Sequence, residues 1–166
     1  MINAKLLNPK SIVVVGGSDD VTKAGGKVLK NLLTGDFPGS IYVVNPKATV
    51  VQGLTAFADV SLLPRTDLAV IAVAARYCPG IVRTLATEKG TGGFIILSAG
   101  FSEENEEGAG FEKEIVEIIN GAGGTLIGPN CIGYLNKNYH GVFTEPIPRL
   151  SQQGIDFISG SGATAV

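Results

Sequence analysis

The sequence predicts an α/β fold built as a doubly wound parallel sheet, and two observations carry this. Short β-branched runs recur every 26 to 31 residues: Ile12–Val15, Ile41–Val44, Leu68–Val73, Phe94–Leu97 and Thr125–Ile127. That spacing is the length of a strand-plus-helix unit. The runs are also apolar throughout rather than alternating, as strands buried on both faces are in a parallel sheet. Five such units in succession, joined by right-handed crossovers, predict a strand order 3-2-1-4-5. The ligand crevice then falls at the switch point between the first and fourth runs.

The segments between the runs read as helices. In Gly25–Leu33, residues Val28, Leu29, Leu32 and Leu33 share one face. In Cys78–Lys89, Ile81, Val82 and Leu85 do so, with Pro79 near the first turn, where a missing N–H costs little. Phe111, Ile115, Ile118 and Ile119 follow the i, i+4, i+7, i+8 pattern of a third helix. Ser102 is its expected N-cap, with Glu103, Glu104, Glu106 and Glu107 near its positive end. Gly108 and Gly110 weaken its first turns. Val50–Leu63 is less regular and reads as a short strand or loop with one helical turn.

Composition narrows the function classes. The 166 residues include 13 Lys and Arg against 15 Asp and Glu, a formal net charge of −2, so the basic footprint of a nucleic-acid binder is absent. The longest apolar run, Leu68–Ala75, is far below the ~20 residues that span a bilayer. Met1–Lys5 lacks an apolar signal-peptide core, and Cys78 and Cys131 form no CxxC pair. The expectation is a cytoplasmic protein without structural metal, membrane or nucleic acid. Gly fills 23 positions, about twice the usual ~7% share, which calls for tight turns or close backbone approaches.

Those glycines gather where the runs end. After the first run comes Gly16-Gly17-Ser18-Asp19-Asp20-Val21-Thr22-Lys23-Ala24-Gly25-Gly26. Backbone N–H groups of such a loop, leading into a helix N-terminus, suit a phosphate. Ser18 adds a hydroxyl and Lys23 a charge. The loop is not G-x-G-x-x-G, and Asp19 and Asp20 oppose a pyrophosphate unless they face solvent. The second run ends in Asn45-Pro46-Lys47, where an NAD site would carry Asp or Glu. Lys47 instead suits a phosphate on a nucleotide ribose, which leaves NADP and coenzyme A as candidates. Small side chains in Val73-Ala74-Ala75 leave room for an adenine or a thin arm, or for close packing. Ser98-Ala99-Gly100 offers backbone donors and acceptors, and Asn130, after Pro129, suits either an Asx-type turn or a ligand contact. Cys131 and His140, the only His, do not read as a nucleophile pair. Cys131 reads as a small buried residue, His140 as a surface one, and no residue of the chain is assigned a catalytic role.

Taken in order, these loops resemble the CoA-binding domain of ADP-forming acyl-CoA (acetate–CoA) synthetases, relatives of the succinyl-CoA synthetase alpha subunit. The matching stretches are Ser11–Ser18, Val43–Lys47, Asp67–Val73, Ile96–Glu103 and Ile127–Gly133. The resemblance implies a Rossmann-like domain over 1–145 that binds CoA or acyl-CoA. Gly16, Gly17, Ser18, Lys23, Gly25 and Lys47 would then meet the nucleotide phosphates, beside Asn45 and Pro46. Val73, Ala74 and Ala75 would flank the adenine or the arm, and Leu97, Ser98 and Ala99 the pantetheine.

A composition change after His140 marks 146–154 as a linker. Beyond it, Ile155–Ser159 and the turn from Gly160 read as the truncated start of a second α/β domain. In the family that domain opens with a Ser-Gln-Ser-Gly-Ala turn facing a phosphohistidine. Ser159, Ser161 and Gly162 would bind phosphate there, with Gly160 in place of the Gln. Ala74 likewise stands where the family usually has Pro. The resemblance further implies ATP or ADP and Mg2+ only in a longer protein carrying ligase and ATP-grasp regions. It also leaves open a CoA-binding regulatory module, as in an acetyltransferase fusion.

Overall fold

A computed structural model describes residues 2–147. The expected Ile155–Ser159 strand, its Gly-rich turn and the phosphate-site residues Ser159, Ser161 and Gly162 lie outside them.

A single seven-stranded sheet organises the chain: β1 (Ser11–Val15), β2 (Ser40–Val44), β3 (Val50–Val51), β4 (Leu54–Phe57), β5 (Leu68–Ile71), β6 (Gly93–Ile96) and β7 (Thr125–Ile127). Their order is β3-β4-β2-β1-β5-β6-β7, and every neighbouring pair is parallel except β3–β4. The expected order 3-2-1-4-5 of the five long runs is therefore corrected, because Leu68–Ile71 lies beside β1 and not beyond β2. The outer place belongs to β4, which has only four residues, none of them buried, and so carries no strong apolar run. Counted with β4 and without the two-residue β3, the six parallel strands do follow 3-2-1-4-5-6, and the switch point falls between β1 and β5 rather than between β1 and Phe94–Leu97.

Four helices pack on the sheet: α1 (Ala4–Leu7), α2 (Ala24–Thr34), α3 (Cys78–Thr87) and α4 (Glu106–Gly121). Successive strand residues face opposite ways. Val13, Val15, Ala69, Ile71, Phe94 and Ile96 meet Val82 and Leu85 of α3 and Ile115 and Ile119 of α4. Ile12, Val14, Leu68, Val70 and Ile95 meet Leu6 of α1 and Val28, Leu29 and Leu32 of α2. Each fully buried aliphatic side chain of these layers contributes ~1.5–3 kcal/mol relative to exposure. Burial on both faces is what the continuous apolar runs encode.

The start of α4 differs from expectation. Its cap is Asn105, whose side chain accepts the Gly108 N–H at 2.9 Å, while the Ser102 N–H goes to Glu112 at 3.2 Å. Gly108 is there for packing, since a Cβ would strike the carbonyl of Phe101.

A second sheet follows, the hairpin β8 (Gly133–Leu135) and β9 (His140–Val142), which the sequence reading did not foresee. Tyr139 anchors it, fully buried and donating its hydroxyl to the Leu6 carbonyl at 2.7 Å. Asn31 of α2 donates to the carbonyls of Val142 (2.8 Å) and Thr144 (3.3 Å), so the domain's packing extends to residue 144.

Candidate functional site: the carboxyl-end rim of the parallel sheet

Parallel pairing sends the carboxyl ends of β1, β2, β5, β6 and β7 to one edge, and hydrogen bonds carry the order into the loops. Gly16 N donates to the Val44 carbonyl, Ala72 N to Val15 and Leu97 N to Ile71, each at 2.9 Å. Asn130 N reaches the Ser98 carbonyl at 2.9 Å. The glycine loop, Asn45–Lys47, Val73–Ala75, Ser98–Gly100 and Asn130 thus line one rim.

The glycine loop turns at Gly16, where φ is +88° and a Cβ would come within 2.5 Å of the Ala72 carbonyl. Gly25 returns against it, and a Cβ there would collide with the carbonyl of Gly16. Gly17 is buried between β2 and α2 and acts through its backbone alone. Helix α2 begins after Lys23, and no side chain caps its first turn. Its uncapped start carries a partial positive charge that favours an anion.

Both aspartates are held by donors of the protein. Asp19 accepts the Gln52 N–H at 2.6 Å, and Asp20 accepts the Thr22 N–H (3.0 Å) and hydroxyl (2.5 Å). The Thr22 hydroxyl, then its N–H, hold the Asp20 carboxyl below its ordinary value, so it stays ionised. Lys23 forms an ion pair with Asp20 at 3.4 Å, which leaves its charge shared. The Ser18 oxygen accepts the Asp20 N–H at 3.0 Å, and its own proton remains to be donated.

Along the rim, Pro46 and Lys47 are exposed, and Lys47 forms no ion pair among the described residues. Asn45 is committed to the fold: its side chain donates to the Gly17 carbonyl (2.9 Å) and accepts the Lys47 N–H (2.8 Å). Ala74 is exposed and Val73 half-buried, whereas Ala75 lies in the core. Leu97 is buried at 6% exposure, so only its backbone reaches the rim, while Ser98 is half-buried and Ala99 exposed. The Gly100 N–H is already taken, because Glu103 accepts it at 2.7 Å and the Phe101 N–H at 3.2 Å.

Gln52 and the Arg76–Tyr77 pair were missed by sequence reasoning. Gln52 sits in the β3–β4 turn and donates to the carbonyls of Ser18 (2.7 Å) and Gly26 (2.9 Å). Its signal was a Gln-Gly pair between two short β-type runs. The Arg76 guanidinium lies 4.7 Å from the Tyr77 ring centroid, on the turn after β5.

Cys131 is half-buried rather than buried, with Sγ 3.4 Å from the Ile96 carbonyl, and burial pushes its thiol up. The His140 ring stands beside Gly35 at the far end of α2, so the two face opposite edges of the sheet. Cavities of about 390 and 660 Å³ open near Lys5 and Thr91 and between α2 and β9. Both lie off the rim.

A family model described as "CoA binding domain" matches residues 10–137. The acetate–CoA ligase (ADP-forming) II subunit alpha of Pyrococcus furiosus is 40% identical over 160 residues, 94% of this chain and 34% of that protein. Acetate–CoA ligase (ADP-forming) I of Archaeoglobus fulgidus is 36% identical over 162 residues, 96% of this chain and 23% of that protein. Among solved structures, the dinucleotide-forming acetyl-coenzyme A synthetase 1 of Ca. Korarchaeum cryptofilum, in complex with phosphate and ADP, matches with a TM-score of 0.76 and 34% identity, over 86% of this chain and 31% of that one. The chain thus spans about a third or less of the length of these relatives.

Proposed function

This chain belongs to the CoA-binding domain family, and from that premise we propose that it seats coenzyme A along the carboxyl-end rim, as one part of an ADP-forming acyl-CoA synthetase. The observation that carries the reading is an uncapped helix start and a glycine loop after β1, with the loop after β2 tied to them by the Asn45–Gly17 hydrogen bond and carrying the exposed Lys47.

The residues fit the ligand's chemistry. CoA is a nucleotide with a pyrophosphate, a ribose 3′-phosphate and a long thin arm. Those amides of the Gly16–Gly25 loop that are not already bonded to the protein, with Ser18 and Lys23, meet the pyrophosphate. Lys47, beside Pro46, meets the 3′-phosphate. The small side chains of Val73 and Ala74 flank the adenine or arm, and Ser98, Ala99 and Asn130 guide the pantetheine. Asn45, Ala75, Leu97 and Gly100 shape the seat through the contacts described above. Held this way, the thiol is delivered to a reaction centre elsewhere, which lowers the entropic barrier of a bimolecular step.

The whole protein would interconvert acyl-CoA, ADP and phosphate with acid, CoA and ATP, through a phosphohistidine beyond this chain. ATP or ADP and Mg2+ belong to its ligase and ATP-grasp regions. None of the described helices is long and apolar enough to cross a membrane, and the proposed place of work is the cytoplasm. The named relatives are ligases and synthetases, which favours this reading over a regulatory CoA sensor or an NADP-dependent oxidoreductase. An assay of ADP- and phosphate-dependent acyl-CoA cleavage tests it. Turnover is expected from the full-length protein and none from the 166-residue chain; a full-length protein without turnover on any acyl-CoA contradicts it.

A further inference from the structure

We infer that Gln52 is a positioning residue for the glycine loop: its side-chain amide, together with that of Asn45, turns two successive loop peptides so that their N–H groups are presented to the anion. The inference rests on the reading of the rim as a CoA seat, and adds what keeps that seat formed before the ligand arrives.

In a planar trans peptide the carbonyl and the following N–H point in opposite directions. Asn45 donates to the Gly17 carbonyl at 2.9 Å, so the Ser18 N–H faces away from Asn45. Gln52 donates to the Ser18 carbonyl at 2.7 Å, so the Asp19 N–H faces away from Gln52. Among the described residues neither N–H has a hydrogen-bond partner. Two consecutive N–H groups are thereby left to donate to an anion. Gln52 also ties the loop at two further points. Its amide reaches the Gly26 carbonyl at 2.9 Å, joining loop to helix, and its own N–H binds the Asp19 carboxylate at 2.6 Å, which turns that charge from the loop toward the hairpin.

The backbone supports a dedicated role. Gln52 has φ +48° and Gly53 φ +83°, as a two-residue hairpin between β3 and β4 requires. Gly, Asn and Asp suit such a turn, because a longer side chain gains no local hydrogen bond there. A strained non-glycine residue persists where its surroundings over-determine it, often at a ligand site. Three hydrogen bonds to the glycine loop do so here. The edge hairpin serves as the arm that carries Gln52 to the loop.

The test uses the 166-residue chain, with CoA and inorganic pyrophosphate as calorimetric probes and thermal melting alongside. Gln52→Gly relaxes the turn but removes the two side-chain hydrogen bonds of the clasp, so its melting temperature is expected to stay close to wild type while affinity for both probes falls ~10-fold, as for the loss of one to two net hydrogen bonds. Gln52→Glu keeps the shape but sets a carboxylate against two carbonyls. It is expected to lose at least as much affinity and to shift the backbone amide resonance of Asp19. Undiminished affinity in Gln52→Gly overturns the inference while leaving CoA binding by wild type intact. Gln52-dependent binding of pyrophosphate without binding of CoA does the reverse, and a wild-type chain that binds neither overturns both.

Discussion

The carbonyl oxygen of Gly16 fills the place that a Cβ on Gly25 would take, so the start of α2 rests directly on the end of β1. This contact brings the helix N-terminus to the switch point between β1 and β5. A methyl group there must push helix and strand apart. Gly25→Ala is expected to cost ~1–3 kcal/mol, as overpacking does, and to weaken CoA binding further by moving the loop. Denaturant unfolding and calorimetry check this; an alanine variant with wild-type stability would show that the helix can shift freely.

Two glycines of α4 should respond in opposite directions. Nothing stands within 4 Å of a Cβ on Gly110, so Gly110→Ala is expected to stabilise the chain by ~1 kcal/mol through helix propensity. Gly108→Ala is expected to destabilise it, because the Phe101 carbonyl occupies the space. Melting temperatures of the two variants should fall on opposite sides of wild type.

Lys47 is the candidate reader of the 3′-phosphate. Lys47→Ala is expected to weaken CoA binding roughly tenfold, as for one charge-assisted contact, while dephospho-CoA binding changes little. The wild-type preference for CoA should also shrink as salt screens the exposed charge. An unchanged preference in the variant would remove Lys47 from the site.

Glu103 gives a pH-dependent signature at the same rim. Its carboxylate accepts the N–H groups of Gly100 and Phe101, and the Gly100 N–H first of all holds its carboxyl below the ordinary 4.5. A folded-state value below the unfolded one gives stabilisation that is present above the ordinary value and lost as pH falls through the folded one. Glu103→Gln should therefore melt below wild type near neutral pH, with the gap closing below about pH 4.5. A gap that persists under strongly acidic conditions would mean that shape, not charge, sets the contact.

The sequence made the sheet legible because strands buried on both faces need continuous apolar runs, as Leu68–Ile71 and Gly93–Ile96 display. Short edge strands leave a fainter trace: β4 has no buried residue and lies in the segment that reads as a short strand or loop, and leaving it out of the strand order misplaced β5. The hairpin β8–β9 was likewise silent, since its anchor is one tyrosine hydroxyl reaching a residue more than a hundred positions away. The rim loops could be read in order because parallel topology forces strand ends together. What could not be read was which donors are already spent. Asn45 on Gly17 and Gln52 on Ser18 are tertiary hydrogen bonds, and sequence spacing carries no record of them; Glu103 on Gly100 is local, three residues away, but the glutamates there read only as a solvated helix start.

The most direct measurement is a calorimetric titration of the 166-residue chain with CoA, dephospho-CoA and NADPH under one buffer and salt condition. A rim built to hold a 3′-phosphorylated adenosine, a pyrophosphate and a thin arm predicts that CoA binds best, dephospho-CoA more weakly and NADPH least. NADPH binding as tightly as CoA, or no heat from CoA at all, would contradict it.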